Sequence, residues 1–394
     1  TQGYSSAASD VYKRQEYNTS ANIRNIALIE GLLKLGHVVS TYSLYPEDAR
    51  FFNKILSIGI KSRYWINKGD AIKSISTVQL SKWNAYVKKK AYYIYNLFSI
   101  YDRRKSFVKQ INSKLFNEKF DVVISSSDMK SAHLYVEELF KQDSLIANKW
   151  IQYWGDPLSN DISVKRLLPD FLVEKEEQRI ISKCDKAVYV SPFTADMIKN
   201  KYPQLADKIH FLPIPVVEAD ENRSGTSSTK LLGYLGDYDT ANRNIHPLLE
   251  VIINNNFDFV IAGNSDVKIE SNDKIRVYKR MPVDEIEKMQ KEIDILICLC
   301  NKSGTQIPGK VYHYAATSKP VIVVLDGDRA DDIAQFLSTF ERYYLCNNRP
   351  DEILKCIKAA MNNYEAYSLP AVLKTENVAH AILALSLIHI SEPT

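Results

Sequence analysis

Short apolar, β-branched runs alternate with amphipathic helical runs along this chain, and no other feature narrows its fold as far. In the first half HVVSTYSL (37–44), FDVVISSS (120–127), KWIQYW (149–154), KAVYVS (186–191) and KIHFLPIPV (208–216) read as strands. Among the helical runs, IRNIALIEGLLKLG (23–36) spaces Ile26, Ile29 and Leu33 as a helix does and stops at Gly36. SAHLYVEELFKQ, VEKEEQRIISKC and FTADMIKNKYP are the other helical runs of this half. Residues 217–229, VEADENRSGTSST, carry no apolar periodicity and read as a linker. The alternation then restarts with KLLGYLG, FDFVIAGNS, KIRVYKR, DILICLC, KPVIVVL and RYYLCNN as strands and a helical run between most of them. Such alternation predicts parallel sheets covered on both faces. The expected fold is α/β, with two doubly wound Rossmann-like domains, 16–216 and 230–350, facing a cleft, and C-terminal helices over 351–385. Ligands of such sheets sit outside the carboxyl ends of the strands.

Bulk properties exclude several other classes. A formal net charge of +4 over 394 residues gives no global field that selects nucleic acid. The five cysteines are scattered and form no paired CxxC motif, so free thiols in a reducing compartment are expected. No apolar run approaches the ~20 residues that span a bilayer, and no signal peptide is visible. The expected location is cytoplasmic, with contact to the inner face of a membrane only at a surface. Residues 1–15 and the tail 386–394 resemble translated sequencing-adapter remnants and are read as a non-native leader and tail. With 1–15 set aside, the first domain opens on a helix, and its usual opening strand is expected to be missing.

Several segments carry a resemblance. GYLGDYDTANRNIHPLLE, FVIAGNS, VYKRMPVDEIEKMQKEIDILIC and GTQIPGKVYHYAATSKPVIVV resemble, in order, the donor domain of family-4-type (group 1) bacterial glycosyltransferases of the GT-B fold. GLLKLGHVVSTYS, FDVVISSS, WIQYWGDP and EEQRIISKCDKAVYVSPFTADMIKNKYP extend the likeness over most of 16–385. The resemblance implies an acceptor-binding first domain and a nucleotide-sugar-binding second domain. It implies transfer of a sugar from a nucleoside-diphosphate sugar to an acceptor hydroxyl of a glycan or lipid-linked acceptor, with retention, in surface polysaccharide or glycolipid synthesis. Neither cofactor nor metal is expected, because positive side chains neutralise the leaving phosphate.

The candidate residues follow. Ser303–Lys310 is a strand-to-helix loop whose Gly304 and Gly309 let backbone N–H groups approach a diphosphate, with Pro308 at the helix start and Lys310 adding a full charge. Arg243 lies just after the first strand of this half, where its planar fork suits phosphate. Gly236 and Gly263 close two neighbouring strands on the donor side. The family commonly has a glutamate pair eight residues apart and an Arg–Lys pair. Here Thr305 and His313 stand at the glutamate positions and Asn244 follows Arg243. A neutral imidazole at 313 can still bond a ribose hydroxyl. On the acceptor side Asp156 is the candidate catalytic group, as base or hydroxyl ligand, after Gly155; Asp128 at the end of a neighbouring strand and Asn22 and Arg24 at the start of the first helix are further acceptor-side candidates. Tyr153 and Trp154 are read as core.

Residues 82–109 hold eight basic side chains against the single acid Asp102, interleaved with eight aromatics. This pattern suits an anionic membrane surface. Two alternatives stay open: a nucleotide-sugar epimerase of the same fold, for which no acid–base pair can be placed, and a catalytically silent scaffold subunit. A Rossmann dehydrogenase is disfavoured because no GxGxxG follows a strand.

Overall fold

The computed structural model describes residues 4–8, 20–44, 59–66, 82–127, 129–162, 164–218, 230–362 and 367–387. The chain forms two compact units, Thr1–Pro213 with Thr375–Thr394 and Ile214–Lys374.

The first unit is built on a seven-stranded sheet. In chain order its strands are β1 (Tyr4–Ala8), β2 (Val39–Ser43), β3 (Ser62–Trp65), β4 (Phe120–Ser126), β5 (Ala147–Trp154), β6 (Lys186–Tyr189) and β7 (Ile209–Phe211). They lie in the order β3-β2-β1-β4-β5-β6-β7, and every pairing is parallel. The expected absence of an opening strand is overturned. Tyr4–Ala8 occupies an interior slot between β2 and β4, with Ser5 in register with Ser40 on one side and Val123 on the other. Backbone pairing on both sides compensates for a YSSAA sequence that has no apolar run.

Among the described residues the helices of this unit are α1 (Ser20–Lys34), α2 (Lys82–Leu97), α3 (Ser131–Gln142), α4 (Asp170–Ser182) and α5 (Pro192–Lys201). α1 stops where Gly36 turns left-handed at φ +81. The Gly36 N–H returns to Leu33 and that of His37 to Leu32, which satisfies the last carbonyls of the helix. β4 and β5 lack polar alternation because both their faces are covered: Val122, Val123, Ile124, Trp150, Ile151, Tyr153 and Trp154 are all buried. Trp154 stacks on Tyr189 with ring centroids 5.9 Å apart. Buried Glu177 ties the loop after β5 to α4, accepting from the N–H groups of Leu158 at 2.6 Å and Ser159 at 3.2 Å and from the Tyr202 hydroxyl.

The second unit has a six-stranded parallel sheet from β8 (Leu232–Leu235), β9 (Phe259–Ala262), β10 (Ile275–Tyr278), β11 (Ile295–Leu299), β12 (Val321–Leu325) and β13 (Tyr344–Asn347), ordered β10-β9-β8-β11-β12-β13. Its helices are α6 (His246–Asn254), α7 (Val283–Glu292), α8 (Gly309–Ala315), α9 (Ala330–Ser338) and α10 (Pro350–Asn362). Buried Arg342 closes the C-terminal end of α8 by donating to the carbonyls of Tyr314, Ala315, Thr317 and Lys319.

A last helix, α11 (Thr375–Leu387), returns to the first unit and packs on α1. A Cβ on Gly31 would lie 2.1 Å from the Thr375 carbonyl oxygen, so the two helices approach backbone to backbone. α11 runs through Ser386 and Leu387, into the segment set aside as a tail; residues 388–394 lie outside the described residues.

In both sheets the chain winds outward in two directions from the centre. The order reverses between β1 and β4 in the first and between β8 and β11 in the second. A crevice opens at such a reversal, at the carboxyl ends of the strands.

Candidate functional site

The reversal between β8 and β11 is where the second unit concentrates charge. β8 ends at Leu235, and Gly236 continues the ladder by donating to the Ala262 carbonyl at 2.8 Å. Gly263 presses on this turn: a Cβ there would lie 1.9 Å from the Gly236 carbonyl oxygen. Only a glycine lets the ends of β8 and β9 pass this closely.

Arg243 bends back over the end of β8. Its Nε donates to the Oδ1 of Asn301 at 2.9 Å and its Nη1 to the Asp237 carbonyl at 3.2 Å. Asn301 is buried just beyond β11 and donates through Nδ2 to the Gln306 carbonyl at 3.2 Å, which ties the 303–308 loop to the same point. Lys310, in the first turn of α8, is half-buried. A Cβ on Gly236 would lie 3.3 Å from its ammonium nitrogen. That ammonium has no hydrogen bond or ion pair among the described residues. Burial pushes its pKa down to about 8; Arg243 and Arg280 push the same way, while the Cys298 thiol and Asp237 oppose them. A partly desolvated, unpaired ammonium beside an oriented guanidinium favours a ligand of negative charge.

Thr305 and Pro308 are buried, while Gly309 and His313 are half-buried. His313 stands three residues after Lys310 on α8, so the two share a helix face. The structure thus gathers Gly236, Arg243, Gly263 and Lys310 at one strand-end cluster, with the 305–309 loop leading into it. Asn301 and Asp237 belong to this cluster and were missed in the sequence. Asn301 is the first polar residue after the apolar run of β11, a signal that could have singled it out.

In the first unit the reversal between β1 and β4 holds Arg24. Its guanidinium, on α1, is 2 % exposed. Its Nη2 donates to the Ser126 hydroxyl at 3.1 Å and to the Ser127 carbonyl, and its face lies 4.8 Å from the centre of the Tyr153 ring. The Ser126 hydroxyl donates to Asn25, and the Ser127 hydroxyl accepts from the Gly155 N–H at 3.2 Å. A Cβ on Gly155 would lie 2.6 Å from the Arg24 Nη1. Asn22 is buried on α1, and Asp156 is half-buried in the turn after β5. Asp128 lies outside the described residues. Buried His133 was not foreseen: its Nδ1 contacts the Ser125 hydroxyl at 2.8 Å, and its ring lies 4.0 Å from that of Trp154. Burial, with Lys130 and Arg24 adding positive charge, holds its imidazole well below the ordinary histidine range.

No family model matches the chain, and no curated protein does. Solved structures resemble it over its whole length. A glycosyltransferase from Rickettsia africae is 13 % identical, with 100 % of each chain covered and a TM-score of 0.53. A Listeria monocytogenes protein assigned as a UDP-N-acetylglucosamine 2-epimerase is 11 % identical, with 100 % of this chain and 98 % of that chain covered and a TM-score of 0.52. An S. aureus MnaA–UDP co-structure is 11 % identical, with 99 % of each covered and a TM-score of 0.51. This chain has the α/β fold of two Rossmann-like domains that GT-B glycosyltransferases and epimerases share.

Proposed function

We propose that this chain is a glycosyltransferase that moves a sugar from a nucleoside-diphosphate sugar to an acceptor hydroxyl, with retention of configuration. The observation that carries this reading is the Lys310 ammonium, unpaired among the described residues beside Arg243 at the strand reversal of the second sheet. That the structurally similar S. aureus MnaA is recorded with UDP supports a nucleotide ligand for a chain of this fold.

In the proposed reaction the leaving group is a phosphate whose charge grows as the glycosidic bond breaks. Lys310 and Arg243 stabilise that charge without reorganising, since Asn301 and the Asp237 carbonyl already hold the guanidinium. His313 bonds a ribose hydroxyl, and Thr305 faces the sugar. On the acceptor side Asp156 binds or deprotonates the attacking hydroxyl. No metal or cofactor takes part in this scheme.

The acceptor is a glycan or lipid-linked sugar, and an anionic membrane surface is proposed to meet residues 82–109. Tyr93, Ile94 and Phe98 are 58 %, 55 % and 61 % exposed, and Leu167 and Phe171 are 64 % and 65 % exposed. The two groups are joined where the Leu167 N–H donates to the Leu97 carbonyl at 2.7 Å. Apolar side chains this exposed, among Arg103, Lys105 and Lys109, suit insertion between anionic headgroups.

Epimerisation of the nucleotide sugar is the second reading, supported by the likeness to the Listeria protein. Incubation with pooled nucleotide sugars decides between them. Transfer requires an added acceptor and releases nucleoside diphosphate, whereas an epimerase converts the sugar with no acceptor present. A silent scaffold subunit does neither.

A further inference from the structure

We propose that Arg24, opened to ligand at Gly155, is an anion subsite that holds a phosphoryl group carried by the acceptor. The acceptor role rests on the transferase reading above; the anion site itself does not. The argument starts from charge. Arg24 is 2 % exposed, yet no carboxylate pairs with it among the described residues. A guanidinium does not lose its proton in a protein, so its charge stays inside the fold. A buried, unpaired charge is costly, and such sites persist where a ligand supplies the counter-charge.

The remaining positive groups nearby do not relieve it. Lys130 is neutralised by Asp161 at 3.1 Å, both nearly buried, and His133 is held neutral. The hydrogen bonds of Arg24 point the same way. Nη2 is spent on Ser126 and Ser127, and Nε is buried with no partner. Nη1 has no partner among the described residues and faces the space that a side chain at 155 would fill. Gly155 has no left-handed φ that demands glycine. What its missing side chain provides is room for Nη1 to lie against the backbone at the end of β5. The site lies at the β1–β4 reversal, where a doubly wound sheet presents its crevice. Asp156 follows Gly155 directly, so an acceptor anchored by its phosphoryl group presents a hydroxyl one residue away.

The test is calorimetric titration of the full chain with inorganic phosphate, alone and with saturating UDP to occupy the donor cluster. One phosphate site is expected to persist under UDP. Gly155→Ala, whose methyl group blocks Nη1, and Arg24→Gln are each expected to weaken that site about tenfold or more. Both are expected to leave UDP affinity within about twofold. Gly155→Ala retains the arginine and displaces only the end of its side chain, so the experiment does not depend on the folding of the arginine variant. The proposal is overturned if no phosphate site persists under UDP, or if Gly155→Ala binds phosphate as the wild type does. It is also overturned if Arg24→Gln weakens UDP as much as phosphate, since the occupant is then the donor's own diphosphate. Phosphate bound at Arg24 in a chain that binds no nucleotide upholds the anion site and sinks the transferase reading. Nucleotide bound without phosphate does the reverse.

Discussion

Arg243 and Asn301, 58 residues apart in sequence, are joined by a 2.9 Å hydrogen bond from the arginine Nε to the asparagine Oδ1. The bond spans the strand reversal of the second sheet and fixes the direction in which the guanidinium points.

Asn301→Ala is therefore expected to weaken nucleoside-diphosphate binding although Asn301 itself carries no charge. The loss of one oriented charged hydrogen bond is worth about 1–2 kcal/mol. Calorimetry with UDP and other nucleoside diphosphates checks this. Affinity equal to that of the wild type refutes an orienting role.

Lys310 sets a pH dependence. Its pKa in the folded protein is pushed down to about 8, chiefly by burial. The ammonium is the form that binds phosphate, and bound phosphate raises its pKa. Affinity is then level just below pH 8 and falls as pH rises beyond it, by about tenfold per unit until the pKa of the complex is reached. Lys310→Arg, which stays charged, is expected to abolish the fall. A wild-type profile that is flat from pH 7 to about 9.5 contradicts the assignment.

Gly263→Ala is a test of close packing. The added methyl group would sit 1.9 Å from the Gly236 carbonyl oxygen, and the end of β8 must shift to admit it. The expected result is a loss of nucleotide affinity larger than that of Asn301→Ala, with a lower melting temperature. Unchanged affinity would show that the turn after β8 does not shape the ligand site.

Limited proteolysis is expected to cut first within 217–229, the polar stretch between the two alternating patterns. The fragments are expected to co-elute after the cut, because α11, at the far end of the C-terminal fragment, packs on α1 in the first unit. Early cleavage elsewhere, or separation of the fragments without denaturant, contradicts this.

The strands with continuous apolar runs, β4, β5, β11 and β12, were legible in the sequence because burial on both faces removes polar residues from them. β1 was not legible. YSSAA has neither alternation nor an apolar run, and it pairs only because β2 and β4 frame a slot for it. β3 was missed as well; SRYW is an edge strand of half-buried residues and carries little pattern. In the candidate site Arg243 and Lys310 were legible from residue type and position after a strand. Their bond partners were not, since Asn301 meets Arg243 only through the order of β8 and β11 in the sheet. The approach of Gly155 to Arg24 is likewise set by the β4–β5 register and the packing of α1, neither of which local sequence encodes.

Binding of nucleoside diphosphate to the wild type, Arg243→Ala and Lys310→Ala, measured by calorimetry below pH 8, tests the central claim most directly. The account predicts saturable binding to the wild type and a loss of about 1–3 kcal/mol in each variant, roughly five- to 150-fold in affinity. Absence of binding to the wild type, or binding to both variants as tight as to the wild type, would contradict it.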